Sequence, residues 1–467
     1  MHDRAEKSSK FLSCESQVCA SCQPVEPHAV EGNDLVRAPC STVVSLIFMD
    51  TGRYHMQILF LAHRMPYPPD KGEKIRAFHE LRYLASRHKV DLFCFADSNS
   101  GPEDRQFMQS MCRDVYVEVL PKPLRFLGMV RNLLTGRPVS FGFFYSRSFG
   151  KKVREALTRS KYDLIFVYSS SMGQYLPDPA PAPVVVDFVD ADSHKFMQYA
   201  ERSRSLEAWL YARESRTVAA AEHALGRIAK VAIAVTEHEA NQLRASAPTT
   251  FDVAVVANGV QVPEVSEEQL NPGIRDLQPF AVFVGTMSYR PNSDAAIYFA
   301  REIFPLVRRR HPTLKFVIVG RHPTSGVRRL GNFPGVIVIG WTPDVYQYFR
   351  HAGVSVAPFR ISQGFHTKIA ESLAVGTPVV TTRRAMASIG LSEREGLFAA
   401  DTSEQFAEKV SSVLQDPLLR RELGIRAPAV RQRLSWDAPL RMLEGLITEA
   451  VNKSVNPVPE LLEIKML

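Results

Sequence analysis

Between Val354 and Thr382 the chain reads VSVAPFRISQGFHTKIAESLAVGTPVVTT, and the middle of that run holds residues suited to a charged, hydroxyl-rich ligand. Gln363, Gly364, Phe365, His366 and Thr367 make a polar, glycine-containing loop between an apolar strand and a short helix that ends at Gly376. The first N–H groups of a helix have no intrahelical partner and suit a phosphate. One turn in, Lys368 offers a cation and Glu371 a carboxylate. Amides plus a cation neutralise a diphosphate, and a carboxylate accepts hydrogen bonds from sugar hydroxyls. The plainer alternative is a solvated helix surface on which Lys368 pairs with Glu371 at i,i+3.

For these groups to face a ligand, the loop must lie beyond the carboxyl end of a strand in an open α/β sheet. The rest of the chain predicts such sheets. Ile58–Ala62 reads as a strand, Gly72–Arg87 as a helix and Val90–Ala96 as a strand. Further apolar, β-branched runs follow at Leu164–Tyr168, Val184–Val189, Val231–Val235 and Val253–Val256. After a linker the pattern restarts with strands at Ala281–Gly285, Leu314–Gly320, Val336–Ile339, Val354–Ala357 and Thr377–Thr382, and a helix over Ser293–Arg310 capped by Asn292 or Ser293. Alternating βα units with continuously apolar strands predict parallel, doubly wound sheets. The expected organisation is a Rossmann-like domain over residues 56–265, a second over 276–430, a helix over 431–451 crossing back to the first, and a loose tail over 452–467. Residues 1–55 do not resemble the rest and read as a disordered or mis-called extension. The cleft between the two domains is the expected ligand site.

At 467 residues, 45% hydrophobic and 23% charged, the composition is that of a globular protein of two or three domains. No run of about 18 uncharged apolar residues predicts a membrane span, and no signal peptide is read, so a cytoplasmic location is expected. The net charge of +8 fits anionic partners. Nucleic acid is not expected, because no RNP-like run, zinc-finger spacing or basic tail occurs. Four of the six cysteines, Cys14, Cys19, Cys22 and Cys40, fall in the first forty residues. The first three have C-x4-C-x2-C spacing, but their polar, aperiodic flanks argue against a cluster, and no metal is expected. Cys94 and Cys112 read as buried apolar residues. Pro123–Pro138 (PLRFLGMVRNLLTGRP) mixes apolar residues with Arg125, Arg131 and Arg137. It suits either an anionic membrane surface or an ordinary helix packed on its own sheet.

Several runs together resemble a known family. They are His63–Arg76 (HRMPYPPDKGEKIR), Val186–Ser193 (VDFVDADS), Asn258-Gly259-Val260, Phe283–Met287 with Pro291–Asp294, and the stretch from Val354. With these the chain resembles retaining GT-B glycosyltransferases of family 4, group 1 type. More narrowly it is similar to the sugar transferases that accompany exopolysaccharide and PEP-CTERM/exosortase gene clusters. The resemblance implies two Rossmann-like domains facing a cleft, a nucleotide-sugar donor, no metal or other cofactor, and a glycan acceptor, lipid-linked, at the inner membrane face. The wider family carries Glu-x7-Glu across the donor loop, the first glutamate contacting the transferred sugar. Here the second position is Glu371 and the first is Gln363, as in the narrower group.

By the same resemblance Lys368, Arg290 and the amides near Gly364 hold the diphosphate, and Glu371 holds the ribose hydroxyls. Gly285 makes the turn before Arg290, and Gly72, in the first βα loop, lets the backbone approach the ligand. Lys71 and Lys74 add positive charge. Asp190 faces the acceptor, to take its hydroxyl proton or only to orient the hydroxyl, with His63 and His194 in reserve. Asp190-Ala191-Asp192 spells D-x-D, the metal motif of the other transferase fold, but two doubly wound units are the wrong frame for it. Two rival readings are a nucleotide-sugar epimerase or hydrolase on the same fold, and a non-catalytic sugar-binding protein. A nicotinamide oxidoreductase is disfavoured, because AHRMPYPPDKG replaces the expected G-x-G-x-x-G.

Overall fold

The computed structural model describes residues 55–70, 72–96, 100–245, 251–263 and 272–455. The N-terminal extension with its four cysteines, Lys71, and the tail beyond residue 455 lie outside the described residues.

Two wholly parallel sheets form the framework. The first contains β1 (Gln57–Ala62), β2 (Lys89–Phe95), β3 (Asp114–Glu118), β4 (Leu164–Tyr168), β5 (Val184–Asp187), β6 (Val231–Ala234) and β7 (Val253–Val255), in the order 3-2-1-4-5-6-7. The second contains β8 (Phe280–Val284), β9 (Lys315–Val319), β10 (Val336–Gly340), β11 (Val354–Ala357), β12 (Val379–Thr381) and β13 (Leu397–Ala399), in the order 10-9-8-11-12-13. Every residue of β4, β8 and β11 is buried, as helices on both faces require. Cys94 and Cys112 are buried, with free thiols.

The sequence reading missed β3 and β13. DVYVE is buried only at Val115, so it lacks the continuous apolar signature, and LFA is too short to register.

The helices that position the crevices are α1 (Gly72–Ala85), α2 (Lys122–Leu134), α3 (Asp192–Glu201), α4 (Ser205–Ile228), α5 (Glu237–Ala245), α6 (Arg290–Tyr298), α7 (Thr367–Ala374), α8 (Pro417–Arg433) and α9 (Asp437–Val455). Helix α6 starts at Arg290, three residues before the expected start, because Pro291 suits a first turn, where its missing N–H costs nothing. Asn292 is therefore inside the helix and not its cap. Helix α8 runs through Pro428, and α9 extends four residues beyond the expected 451.

Helix α9 belongs to the first sheet's core although the second sheet precedes it in the chain. Leu440, Leu443, Ile447 and Ala450 pack with Ile58, Leu81 and Leu92. Where the chain leaves the first sheet, Val260 N–H donates to Leu434 O at 2.7 Å. A Cβ on Gly259 would come within 2.6 Å of the Trp436 nitrogen, so outgoing and returning chain are in contact.

Three of the runs that carried the family resemblance meet in one buried network. Arg76 of α1 is fully buried. Its Nε donates to Asp187 Oδ2 (2.7 Å), its Nη1 to Val256 O (2.9 Å) and Asn258 Oδ1 (2.8 Å), and Nη2 lies 2.9 Å from Glu80 Oε1. Asp187 Oδ1 accepts from Val189 N–H at 2.8 Å and so shapes the turn after β5. A buried guanidinium is tolerable only with such partners. Replacing Asp187 with Ala should therefore cost about 3–5 kcal/mol of stability, because Arg76 loses its closest counter-charge. Urea unfolding followed by circular dichroism would show this as a lower midpoint with an unchanged slope.

Candidate functional site

Each sheet reverses strand order once, between β1 and β4 in the first and between β8 and β11 in the second. At such a point the loops on either side turn in opposite directions and leave a crevice beyond the carboxyl ends. The loop from Pro358 to His366, which leads from β11 into α7, borders the crevice of the second sheet.

Ile369, Ala370, Leu373 and Ala374 are the buried face of α7. Lys368 Nζ donates to Asn292 Oδ1 at 2.7 Å and lies 5.0 Å and 5.6 Å from the Phe359 and Phe283 rings. Asn292 Nδ2 in turn donates to Thr286 O at 2.9 Å, which ties α6 to the turn after β8. Gly285 is needed in that turn: a Cβ there would lie 2.8 Å from Asn292 Nδ2. Glu371 accepts from the Tyr346 hydroxyl at 3.0 Å. Lys368 and Glu371 thus each have a partner on another element. Burial pushes Lys368 down to about 8 against the pull of Glu371. Burial pushes Glu371 up to about 7 against Tyr346 and Lys368. The His366 ring stacks on Phe359 (centroids 4.4 Å, 9°), with Nε2 2.7 Å from Ser362 Oγ. Burial and the Lys368 charge push His366 down to about 3, so it braces the loop as a neutral ring.

The first sheet brings Asp190 to the same place. Asp190 lies three residues beyond β5 and just before α3. Its Oδ1 is 2.4 Å from where a Cβ on Gly364 would stand, and Gly364 has φ +71°. Lys195 Nζ is 3.8 Å from Asp190 Oδ2 and also pairs with Asp192, so a lysine serves both carboxylates of the D-x-D run. Burial raises Asp190 to about 6 against the Lys195 charge. Glu239 of α5 accepts from Ala191 N–H at 3.2 Å, and burial with the Asp190 charge pushes it well up.

Arg290 also reaches the junction, but its partners are on the first domain. Its guanidinium lies over Tyr199 (5.2 Å) and Tyr211 (5.7 Å), 3.3 Å from Glu207 Oε1 and 3.1 Å from Ser203 Oγ. Gln363 is held by first-domain side chains as well. Gly72 opens α1, and a Cβ there would meet nothing within 4 Å. Two residues earlier, Asp70 pairs with Arg321 of the second domain at 3.0 Å and with Lys74 at 3.3 Å. His63 lies in aromatic packing, 5.9 Å from the parallel Tyr168 ring and 5.2 Å from Phe144. Phe365 packs against the second sheet's core and Thr367 is the first residue of α7.

The sequence reading did not single out Tyr346, Gln198, Lys195 or Glu239 as site residues, and it gave Asn292 only a capping role. Asn292 and Tyr346 stand on elements other than α7; Asn292 falls in the Pro291–Asp294 run that carried the resemblance, whereas nothing in the local pattern of Tyr346 separates it from surface residues.

Residues 72–259 match the family described as Glycosyl transferase 4-like domain, and residues 278–416 match Glycosyl transferases group 1. No curated protein matches the sequence. Among solved structures, Alr3699/HepE of Anabaena, crystallised with UDP and glucose, is 16% identical with a TM-score of 0.61, over 85% of this chain and 100% of its own. Sucrose-phosphate synthase of Thermosynechococcus elongatus is 16% identical with a TM-score of 0.62, over 85% and 99%. WaaG, a glycosyltransferase involved in lipopolysaccharide biosynthesis, is 16% identical with a TM-score of 0.59, over 84% and 99%. These likenesses establish the two-domain GT-B fold.

Two glycine substitutions separate a filled position from an open one. Gly364→Ala should lower stability by at least about 1–2 kcal/mol, from its left-handed backbone and its collision with Asp190. Gly72→Ala should leave the melting temperature within about a degree of the parent. Differential scanning calorimetry of both variants tests the pair.

Proposed function

Because the chain's two domains match glycosyltransferase family models and it has the GT-B fold, we propose that it transfers a hexose from a nucleotide-sugar donor to a glycan acceptor, with retention and without a metal. The observation that carries this reading is the meeting of a half-buried cation and a helix start from one domain with a carboxylate from the other. The diphosphate sits at the start of α7 with Lys368 beside it. Lys368 Nζ is already aimed by Asn292, so little ordering is needed when charge develops on the leaving group. Glu371, steadied by Tyr346, accepts from the ribose hydroxyls. Asp190 takes the acceptor hydroxyl's proton as the glycosidic bond forms and the bond from sugar to diphosphate breaks. Burial that raises its pKa also makes it a better base near neutral pH. Arg290 joins the diphosphate by releasing Glu207. The neighbour crystallised with UDP and glucose supports a uridine diphosphate sugar as the first donor to test.

We propose further that the acceptor is lipid-linked, in exopolysaccharide synthesis, and that the enzyme meets it on the cytoplasmic face of the membrane. Among the described residues no helix is long and apolar enough to cross a bilayer. Helix α2 buries Gly128 and Asn132 and exposes Leu124, Phe126, Leu127, Leu133 and Leu134. Gly128 makes this possible, because a Cβ there would sit 2.1 Å from Gly142 O. Arg213 of α4 donates to Leu133 O at 3.1 Å, and α4 itself exposes Leu206, Trp209 and Leu210. Residues 119–137 carry Lys122, Arg125, Arg131 and Arg137 and no acid. An apolar face with a basic border suits an anionic bilayer surface.

Three expected results follow from these readings. Lys368→Met should lower kcat/KM for UDP-sugar turnover roughly 30- to 1,000-fold, about 2–4 kcal/mol of transition-state stabilisation, while the fold survives. Unchanged turnover would remove Lys368 from the reaction. Diphosphate binding favours the charged lysine. UDP affinity, measured by calorimetry, should therefore fall up to about tenfold per pH unit once the pH exceeds about 8. Phe126→Asp with Leu134→Asp should abolish co-sedimentation with phosphatidylglycerol vesicles and leave soluble-acceptor turnover intact. Equal sedimentation of parent and variant would end the membrane reading.

A further inference from the structure

Gln198 lies on α3, eight residues beyond Asp190, and is buried. Its amide reads the backbone of the opposite domain in both directions. Gln198 Oε1 accepts from Ser362 N–H at 3.2 Å, and Gln198 Nε2 lies 3.3 Å from Ser362 O. The same Nε2 donates to Gln363 Oε1 at 2.9 Å. Gln363 Nε2 then donates to Gln242 Oε1 and lies 3.4 Å from Glu239 Oε1, both on α5. A primary amide has two N–H donors and one carbonyl, and in both glutamines all of them are directed to partners. Two adjoining residues of the donor loop, Ser362 and Gln363, are therefore gripped by two helices of the first domain.

We propose that Gln198 and Gln363 form an amide clasp that sets the donor loop against Asp190, with Gln198 as a positioning residue for the transfer reaction. The clasp fixes where Gly364 and the start of α7 stand relative to the acceptor-side carboxylate. Asp190 and Gln198 belong to one short segment, so the distance between base and donor loop is set within about two helical turns. A small misplacement of reacting groups costs rate out of proportion to its size. The clasp also accounts for a neutral side chain at 363. Gln242 Oε1 and Glu239 Oε1 both accept from Gln363 Nε2 there. A carboxylate would offer only lone pairs to them and add a third acid beside Glu239 and Asp190.

This consequence rests on the glycosyl-transfer reading, whereas the clasp itself is testable without any ligand. Hydrogen exchange on the full free chain should show the Ser362 amide protected, and Gln198→Met should speed its exchange at least tenfold. Unchanged exchange would overturn the clasp, whatever the chain binds. UDP calorimetry tests the positioning role. Gln198→Met and Gln363→Met should each weaken UDP binding about tenfold, and the double variant should be no weaker than either alone. Independent, additive losses or no loss would overturn it. Gln363→Glu should also bind UDP more weakly than the parent, with a deficit that shrinks from pH 8 to pH 6 as the new carboxyl gains the proton that replaces the amide donor. A deficit insensitive to pH would count against the clasp. If the parent itself gives no heat with UDP or UDP-sugars, the donor reading fails while the exchange result still decides the clasp.

Discussion

The approach of Gly364 to Asp190 is the contact on which the whole site depends. It joins a loop of the second sheet to a turn of the first with no room for a side chain between them. Parallel sheets that reverse direction leave a crevice at the carboxyl ends of their strands, and here the edge of one crevice touches the turn beyond β5 of the other sheet. Both sides carry charge of both signs, with Glu371 beside Lys368 on α7 and Lys195 of α3 beside Asp190. Lys368 and the start of α7 come from the second sheet, while Asp190, Glu239 and Glu207 come from the first. Arg290 crosses between them and pairs with the exposed Glu207.

The electrostatics of the junction follow from that closeness. Lys368 and Glu371 are both drawn toward neutrality by burial, and neither is fully compensated by the other because each is bonded elsewhere. A site in which a cation and a carboxylate are separately held, close to their titration points, responds strongly to an anionic ligand. The Arg76 network differs. Arg76 is held directly by Asp187 and by backbone, and the network shapes the turn that delivers Asp190.

The framework was legible in the sequence for a simple reason. Strands covered on both faces must be apolar throughout, and VVVD, FAVFV or VSVA can be read as such without any partner. The loop and helix from Gln363 to Glu371 were legible too, because they form one continuous strand–loop–helix unit. What escaped was whatever depends on two distant segments meeting. Tyr346, Asn292 and Gln198 act on α7 and its loop from three other elements, and Tyr346 and Gln198 look like surface residues in their own stretches. The HRMPYPPDKGEKIR run stood out as a motif, yet its best-connected residue, Arg76, is a buried scaffold group. The leucines of α2 suited a packed helix equally well. Only the close approach of Gly128 and Gly142 shows that they face outward.

The return of α9 has a bearing on how the protein is made. Leu440, Leu443, Ile447 and Ala450 complete a core that includes Ile58 and Leu81, synthesised more than three hundred residues earlier. The domain that leaves the ribosome first is thus the last to be finished, and it carries an uncovered apolar groove until the final helix arrives. Its neighbour, lying between those two segments in the chain, is free to fold in the meantime.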